Sequence, residues 1–300
     1  MQTLRPCPVC NSGESRLRYG STLRDGENWR EGFDPYTGHY QVNTCRQCGL
    51  VFSSPVFDAA SIGEIYKTHP QTNVDENEIE NVRKTMEGYY RLTRPHLPGR
   101  KRVLDVGCDI GLFLEVARQD GFRELHGIEP VAIARKAAVE RLTGASIHPE
   151  FYQDCRFPDE HFDLIVFIHV VDHLLHPAEL LERAIRHLVP GGIVIAVVHD
   201  IEAPLARLMG ERYPVYNFFH HYFFSRVTLA GLFERCGFET VSVVSTRNCY
   251  SLAFLIERFP LIGRRLATAS ASWARRLGIG RLSLNLPIGN IGIVARKPVS

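Results

Sequence analysis

Residues 103–117, VLDVGCDIGLFLEVA, decide the fold: an apolar strand runs into an acid, a glycine-framed loop follows, and a helix begins. Gly107 and Gly111 tolerate backbone conformations and close approaches that a Cβ blocks, so a ligand can lie against the loop and the first turn of the helix. That arrangement suits a nucleotide-type ligand. A dinucleotide fingerprint reads G-x-G-x-x-G. Aligned on Gly107, it needs glycine at 109 and 112, where the chain has Asp109 and Leu112. Asp105 and Asp109 flank the place a pyrophosphate would occupy and repel it. They suit a phosphate-free ligand carrying positive charge, such as the sulfonium and ammonium of S-adenosylmethionine.

Outward from this unit, short apolar strands alternate with amphipathic helices. Strands are expected at 102–106, 125–129, 145–148, 163–168, 193–198, 240–246 and 290–296, and helices near 111–119, 131–142, 178–188 and 226–236. The pattern predicts an α/β fold, a Rossmann-like seven-stranded and mostly parallel sheet with helices on both faces. Ligands of such sheets bind at the carboxyl ends of the strands. Glu129 closes the second strand, about twenty residues beyond the glycine loop, where a carboxylate can accept both ribose hydroxyls. Asp154, after the third strand, is placed to accept from an adenine amino group.

Cys7 and Cys10 form CPVC, and Cys45 and Cys48 form CRQC, whereas Cys108, Cys155, Cys236 and Cys249 stand singly. Two C-x-x-C knuckles can complete one tetrahedral metal site, so residues 1–55 read as a zinc ribbon with a structural ion. A redox pair, a disulfide or a rubredoxin-like iron centre are the alternatives. Residues 56–100 read as a helical linker, with a helix through Arg83 to Arg94, and 101–300 as the ligand-binding domain. The composition, 45% hydrophobic and 23% charged with a net charge of +2, is that of an ordinary globular chain and sets up no strong nucleic-acid field. No apolar leader or membrane span is visible, so a cytoplasmic location is expected.

VLDVGCDIG, GIEP, QDCRFPDEHFDLIVFIHVVDHLLHP and LVPGGIVIAV occur in an order and spacing that resemble class I S-adenosylmethionine-dependent methyltransferases, most closely those carrying an N-terminal zinc ribbon. The resemblance implies that Asp105, Gly107 and Gly111 shape the methionine end of the cofactor site, that Glu129 holds the ribose, and that Asp154 meets the adenine. The backbone carbonyl of His169 is expected to face the cofactor's ammonium. The family commonly has glycine or another small residue where this chain has Asp109, and Asp enters left-handed backbone conformations more readily than most residues.

Methyl transfer to a hydroxyl or an acidic carbon needs a general base. Candidates lie in HVVDHLLHP (His169, Asp172, His173), at His199-Asp200, and at His220-His221. In the resembling sugar and small-molecule enzymes a histidine after the fifth strand is a frequent base, which makes His221 the first expected base and His173 the second. The expected acceptor is a small molecule: a sugar nucleotide, a glycan or a lipid-linked intermediate. An insert over about 248–288 carries Arg258, Arg264, Arg265, Arg275, Arg276 and Arg281 against the single acid Glu257. It reads as a helical cap, or as a basic face for a phosphorylated acceptor or for membrane lipid headgroups. Two other readings are an RNA methyltransferase that grips RNA with the ribbon, and a non-catalytic zinc-ribbon interaction protein on a degenerate methyltransferase fold. The ribbon lacks the basic, aromatic-rich face that a nucleic-acid partner needs.

Overall fold

A computed structural model describes residues 2–3, 5–23, 36, 38–68, 78–257 and 263–299. Seven strands form the central sheet: β1 (Arg102–Val106), β2 (Glu124–Ile128), β3 (Ser146–His148), β4 (Phe162–Ile168), β5 (Leu188–His199), β6 (Glu239–Ser245) and β7 (Asn290–Arg296). Their order is β6-β7-β5-β4-β1-β2-β3. β7 is antiparallel to both neighbours, and β5, β4, β1, β2 and β3 pair in parallel. The fold is therefore Rossmann-like and mostly parallel. β5 begins five residues before the expected Ile193: Leu188 already pairs with Phe162, Gly191 (φ +74°) carries the chain through a register shift, and the pairing resumes at Ile193 with Leu164.

Both faces of the sheet are covered, because alternate side chains of each strand point to opposite sides. Val103, Leu164, Val166, Ile195 and Val197 pack beneath Tyr89 and Tyr90 of the helix Ile79–Thr93 and beneath Phe113 and Leu114 of the helix Leu112–Gln119. The latter helix buries its apolar stripe and stops where Gly121 (φ +101°) turns the chain back, with the Phe122 N–H donating to the Ala117 carbonyl. On the opposite face Leu104, Ile165, Val194 and Ile293 meet the helices Pro177–His187 and Arg226–Arg235. Cys7, Cys45, Leu50 and Phe52 of the N-terminal segment belong to this same core.

That shared core comes from an interlock of backbone as well as side chains. The N-terminal strands Ser15–Tyr19, Val42–Cys45 and Val51–Ser53 form an antiparallel sheet, and its fourth strand is Tyr222–Phe223, which pairs with Val51 and Phe52. The Ser53 N–H then donates to the His221 carbonyl. Arg5 completes the seam, donating to the carbonyls of Ser53 and Leu175 while its guanidinium lies 5.1 Å from the Tyr222 ring centroid. The four knuckle sulfurs cluster, with Cys7 and Cys48 3.4 Å apart and Cys10 and Cys45 3.5 Å apart. Those distances exclude disulfides, whose sulfurs lie about 2.05 Å apart.

The C-terminal insert is a short antiparallel pair, Asn248–Ser251 with Ser283–Leu286, bracketing the helices Leu252–Glu257 and Arg264–Arg276. Arg258 lies outside the described residues. The insert is tied to the helix Ile79–Thr93, where the Tyr89 hydroxyl donates to Asn248 Oδ1 at 2.7 Å and the Cys249 N–H donates to the Thr85 hydroxyl. Among the described residues no helix is long and apolar enough to cross a membrane.

Because the ribbon sheet borrows a strand from the larger domain, the two unfold as one unit. Cys45→Ala should lower a single cooperative transition by roughly 3–4 °C if it removes about 2 kcal/mol. Scanning calorimetry decides: a separate low-temperature transition, with the main one unmoved, would show that the ribbon is autonomous.

Candidate active site

A cavity of about 380 Å³ opens at the carboxyl ends of β1, β4 and β5. One end is built by the glycine loop. The Gly107 and Cys108 N–H groups both donate to the Ile128 carbonyl, and the Gly111 N–H donates to the Cys108 carbonyl, which folds the loop tightly over the end of β2. Gly107 (φ +76°) and Gly111 (φ +83°) are both left-handed, and a Cβ at Gly111 would stand 2.5 Å from Leu142 Cδ1. Asp109 is left-handed too, at φ +48°. Its backbone N–H donates to Glu129 Oε2 at 3.0 Å, while the Val131 N–H donates to Glu129 Oε1 at 2.8 Å. The loop conformation and the acid at the end of β2 thus fix each other.

Three carboxyl groups converge here. Burial, reinforced by the charges of Glu129 and Asp109, pushes Asp105 up to about 8. Burial also raises Asp109 and Glu129. Asp109 Oδ1 is buried without a hydrogen-bond partner. A cluster of acids that cannot all ionise unaided is a site for a cation, and a sulfonium with a nearby ammonium supplies that charge without a phosphate to repel. The residues present therefore fit S-adenosylmethionine.

The other end of the cavity is a wall of four imidazoles, His169, His173, His199 and His220. His169 and His199 have ring centroids 4.7 Å apart, His173 and His220 4.4 Å, and His199 and His220 5.2 Å. Burial lowers His173 to about 3 and His199 to about 4, and holds His169 and His220 well below the ordinary imidazole value. All four rings are neutral at physiological pH. His169 sits at φ +52°, which for a non-glycine residue at a strand end marks a conformation held by its surroundings. Val82 and Met86 of the helix Ile79–Thr93 form part of the lining, beside Leu112, Phe113 and Ile168.

The structure brings together most of the residues singled out in the sequence. Asp105, Gly107, His169 and His173 line the cavity. Gly111 and Glu129 support the loop from behind, and Asp154 is exposed in a turn outside the cavity lining. His221 is the exception that needs correcting. It is fully buried on the far side of its segment, 5.7 Å from the Tyr40 ring, and is absent from the cavity wall. Successive residues leading into the strand Tyr222–Phe223 face opposite ways, so His220 takes the place expected of His221. Sequence reasoning missed the lining role of Val82 and Met86, since the helix that carries them reads as a linker.

A family model described as a methyltransferase domain matches residues 79–243, more than half of the chain. The chain belongs to this family. It is an S-adenosylmethionine-dependent methyltransferase, and the match runs from the cavity-lining helix to β6, leaving the ribbon and the insert outside. A ubiquinone biosynthesis O-methyltransferase of Sodalis glossinidius is 26% identical over 172 residues, 48% of this chain and 68% of its own. One from Yersinia pestis is 27% identical over 123 residues, and the match spans about half of its length, 49%, and 38% of this chain. Among solved structures, the complex between the Haloferax volcanii Trm112 methyltransferase activator and its methyltransferase aligns with TM-score 0.54 at 16% identity, covering 73% of this chain and 92% of that one. A SAM-dependent methyltransferase from Leishmania major gives 0.53 at 17% identity, covering 79% and 82%. At such identities these structures speak for the fold alone.

Gly111→Ala introduces both a left-handed alanine and a clash with Leu142, so it should destabilise the chain by about 1–3 kcal/mol. Denaturant unfolding measures it, and an unchanged midpoint would show that the loop relaxes freely.

Proposed function

We propose that this methyltransferase moves the methyl group of S-adenosylmethionine to an oxygen of a small hydroxylated acceptor. The observation that carries the reading is one cavity with cation-seeking carboxyls at one end and neutral imidazoles at the other. The cofactor supplies a methyl already activated on sulfonium. The protein's part is to bind, align and exclude water. Asp105, with the loop of Gly107 and Gly111, holds the methionine end, and the His169 carbonyl faces the ammonium. Glu129 accepts the ribose hydroxyls on lone pairs that its two backbone donors leave, and Asp154 meets the adenine amino group.

His199 is the group that takes the acceptor's proton. It lines the cavity and is held neutral by burial, with the Asn290 side chain acting in the opposite direction. Of the two bases expected from sequence, His173 shares this wall and His221 lies behind it. The relatives' designation as O-methyltransferases of ubiquinone biosynthesis favours oxygen as the accepting atom, and a ubiquinone precursor over a sugar nucleotide, glycan or lipid-linked intermediate. The cavity volume suits a small acceptor. Zn²⁺ is the ion that suits Cys7, Cys10, Cys45 and Cys48, whose sulfurs all lie within 4.8 Å of one another. Four thiolates fill its tetrahedron, so its role is structural.

Titration calorimetry with S-adenosylmethionine tests the cofactor site. Glu129→Ala should weaken binding by about 10–100-fold, the worth of a charge-assisted hydrogen bond. Asp105 has a raised value in the free protein, so a bound cation drives its proton off. Affinity therefore rises with pH up to about 8, and binding near pH 7 releases a proton. No binding by the wild-type chain, or binding unaffected by Glu129→Ala, defeats the reading. Transfer of a labelled methyl group is then followed across two acceptor panels, ubiquinone precursors and sugar nucleotides. Product from the second panel alone overturns the acceptor assignment.

The insert exposes Leu266, Trp273, Leu277, Ile279 and Leu282 beside Arg265, Arg276 and Arg281. Apolar and aromatic side chains interleaved with arginines suit an anionic lipid surface. Arg275 is engaged with Glu257 at 2.7 Å and stands apart from this role. Pelleting with phosphatidylglycerol vesicles should fall several-fold in a Leu266→Ser, Trp273→Ser double variant. Equal pelleting with zwitterionic vesicles would exclude the arginines from the interaction.

A further inference from the structure

Behind the histidine wall lies Asp172, whose side chain is 1% exposed. Neither carboxyl oxygen has a partner at hydrogen-bonding geometry. His173 Nε2 stands 4.0 Å from Oδ1 and His220 Nε2 stands 3.8 Å from Oδ2. These gaps are too long for a direct hydrogen bond.

The tautomer of His220 can be fixed by following its outer edge. Asn217 Nδ2 donates to the Pro214 carbonyl at 3.1 Å, and Asn217 Oδ1 accepts from the Phe219 N–H at 2.9 Å, so the orientation of this amide is determined. His220 Nδ1 lies 3.0 Å from the same Oδ1. An amide oxygen only accepts, so Nδ1 carries the hydrogen, and in a neutral ring Nε2 presents a bare lone pair. That lone pair faces the buried Asp172 carboxyl, an approach that is favourable only with a proton or a metal cation between them. An outer hydrogen bond that fixes the tautomer and aims the inner nitrogen is the usual support of a metal-ligating histidine.

We infer that Asp172, His173 and His220 bind a divalent transition-metal ion, distinct from the ion of the cysteine knuckles, with open coordination positions toward the acceptor end of the cavity. One ligand atom from each residue lies within 4.8 Å of the others. Ligands about 2.1 Å from a common ion stand roughly 3–4 Å from one another, so a small closure of the present gaps suffices. Two imidazoles and one carboxylate select zinc- or iron-type ions over magnesium, and such a triad leaves positions for an exogenous oxygen. His173 and His220 line the cavity whereas Asp172 is buried behind them, which directs those positions to the cavity. A Lewis acid there would acidify a hydroxyl bound to it, beside the His199 ring that lines the same cavity. This role rests on the methyl-transfer reading, but the binding itself does not.

The test is cobalt loading of the full chain, followed by gel filtration, metal counting and visible absorption. Wild type should carry one ion with thiolate-to-cobalt charge transfer and a second with only nitrogen and oxygen ligand-field bands. Asp172→Asn and His220→Gln should each lose the second ion and keep the thiolate signal, which also reports that the chain is folded. Asn217→Ala, which removes only the outer hydrogen bond, should weaken the second site by about 10–100-fold. A wild-type chain without the nitrogen-oxygen ion, or variants that keep it, overturns the inference. S-adenosylmethionine calorimetry on Asp172→Asn separates the two ideas: cofactor binding persists there if only the metal site fails, and is absent from wild type if the methyltransferase reading fails.

Discussion

The hydrogen-bond ladder between Val51–Ser53 and Tyr222–Phe223 is the constraint on which the rest of the molecule leans. Pairing to the ribbon sheet fixes the direction of the segment just before Tyr222, and the Ser53 N–H extends that hold to the His221 carbonyl. On its other side, the His221 N–H donates to the Asp172 carbonyl, which ties the ribbon edge to the loop after β4. The alternation of side chains along this stretch then places His220 in the cavity and His221 against Tyr40. A four-cysteine knuckle remote from the cavity thereby sets the position of a side chain in its wall.

The cavity separates two electrostatic tasks by geometry. Acids gathered at the ends of β1 and β2 are destabilised by burial and by one another, which a cation relieves. Histidines at the ends of β4 and β5 are held neutral by burial and by each other, which keeps lone pairs available. Placed in the same low-dielectric space, each effect is stronger than it is in water. The left-handed Asp109 ties the acidic end together, because its N–H anchors Glu129 while its own carboxyl adds to the acidic cluster.

Much of this was legible from the chain alone. The short apolar runs between amphipathic helices marked all seven strands, with boundaries within one residue except at β5, where a bulge lets Leu188 join the sheet early. The glycine loop was legible because left-handed backbone leaves few alternatives to glycine. The linker reading of 56–100 was less informative: the helix Ile79–Thr93 has an ordinary amphipathic pattern, and nothing in it says that Val82 and Met86 reach the cavity. The histidines were visible as candidates, but the adjacent pair His220-His221 could not be resolved, since which of two neighbours faces inward depends on the register of a strand pairing with residues about 170 positions earlier.

The sequence by itself determined the α/β class, the cofactor-loop chemistry and the cysteine knuckles, because each is written locally: apolar runs alternating with amphipathic helices, a glycine interval, two residues between thiols. Only the tertiary structure decided that the ribbon shares a sheet and a core with the larger domain, that His220 rather than His221 faces the cavity, and that Asp172 lies behind two imidazoles with its oxygens unpartnered. These are outcomes of long-range register and burial, and no local pattern encodes them.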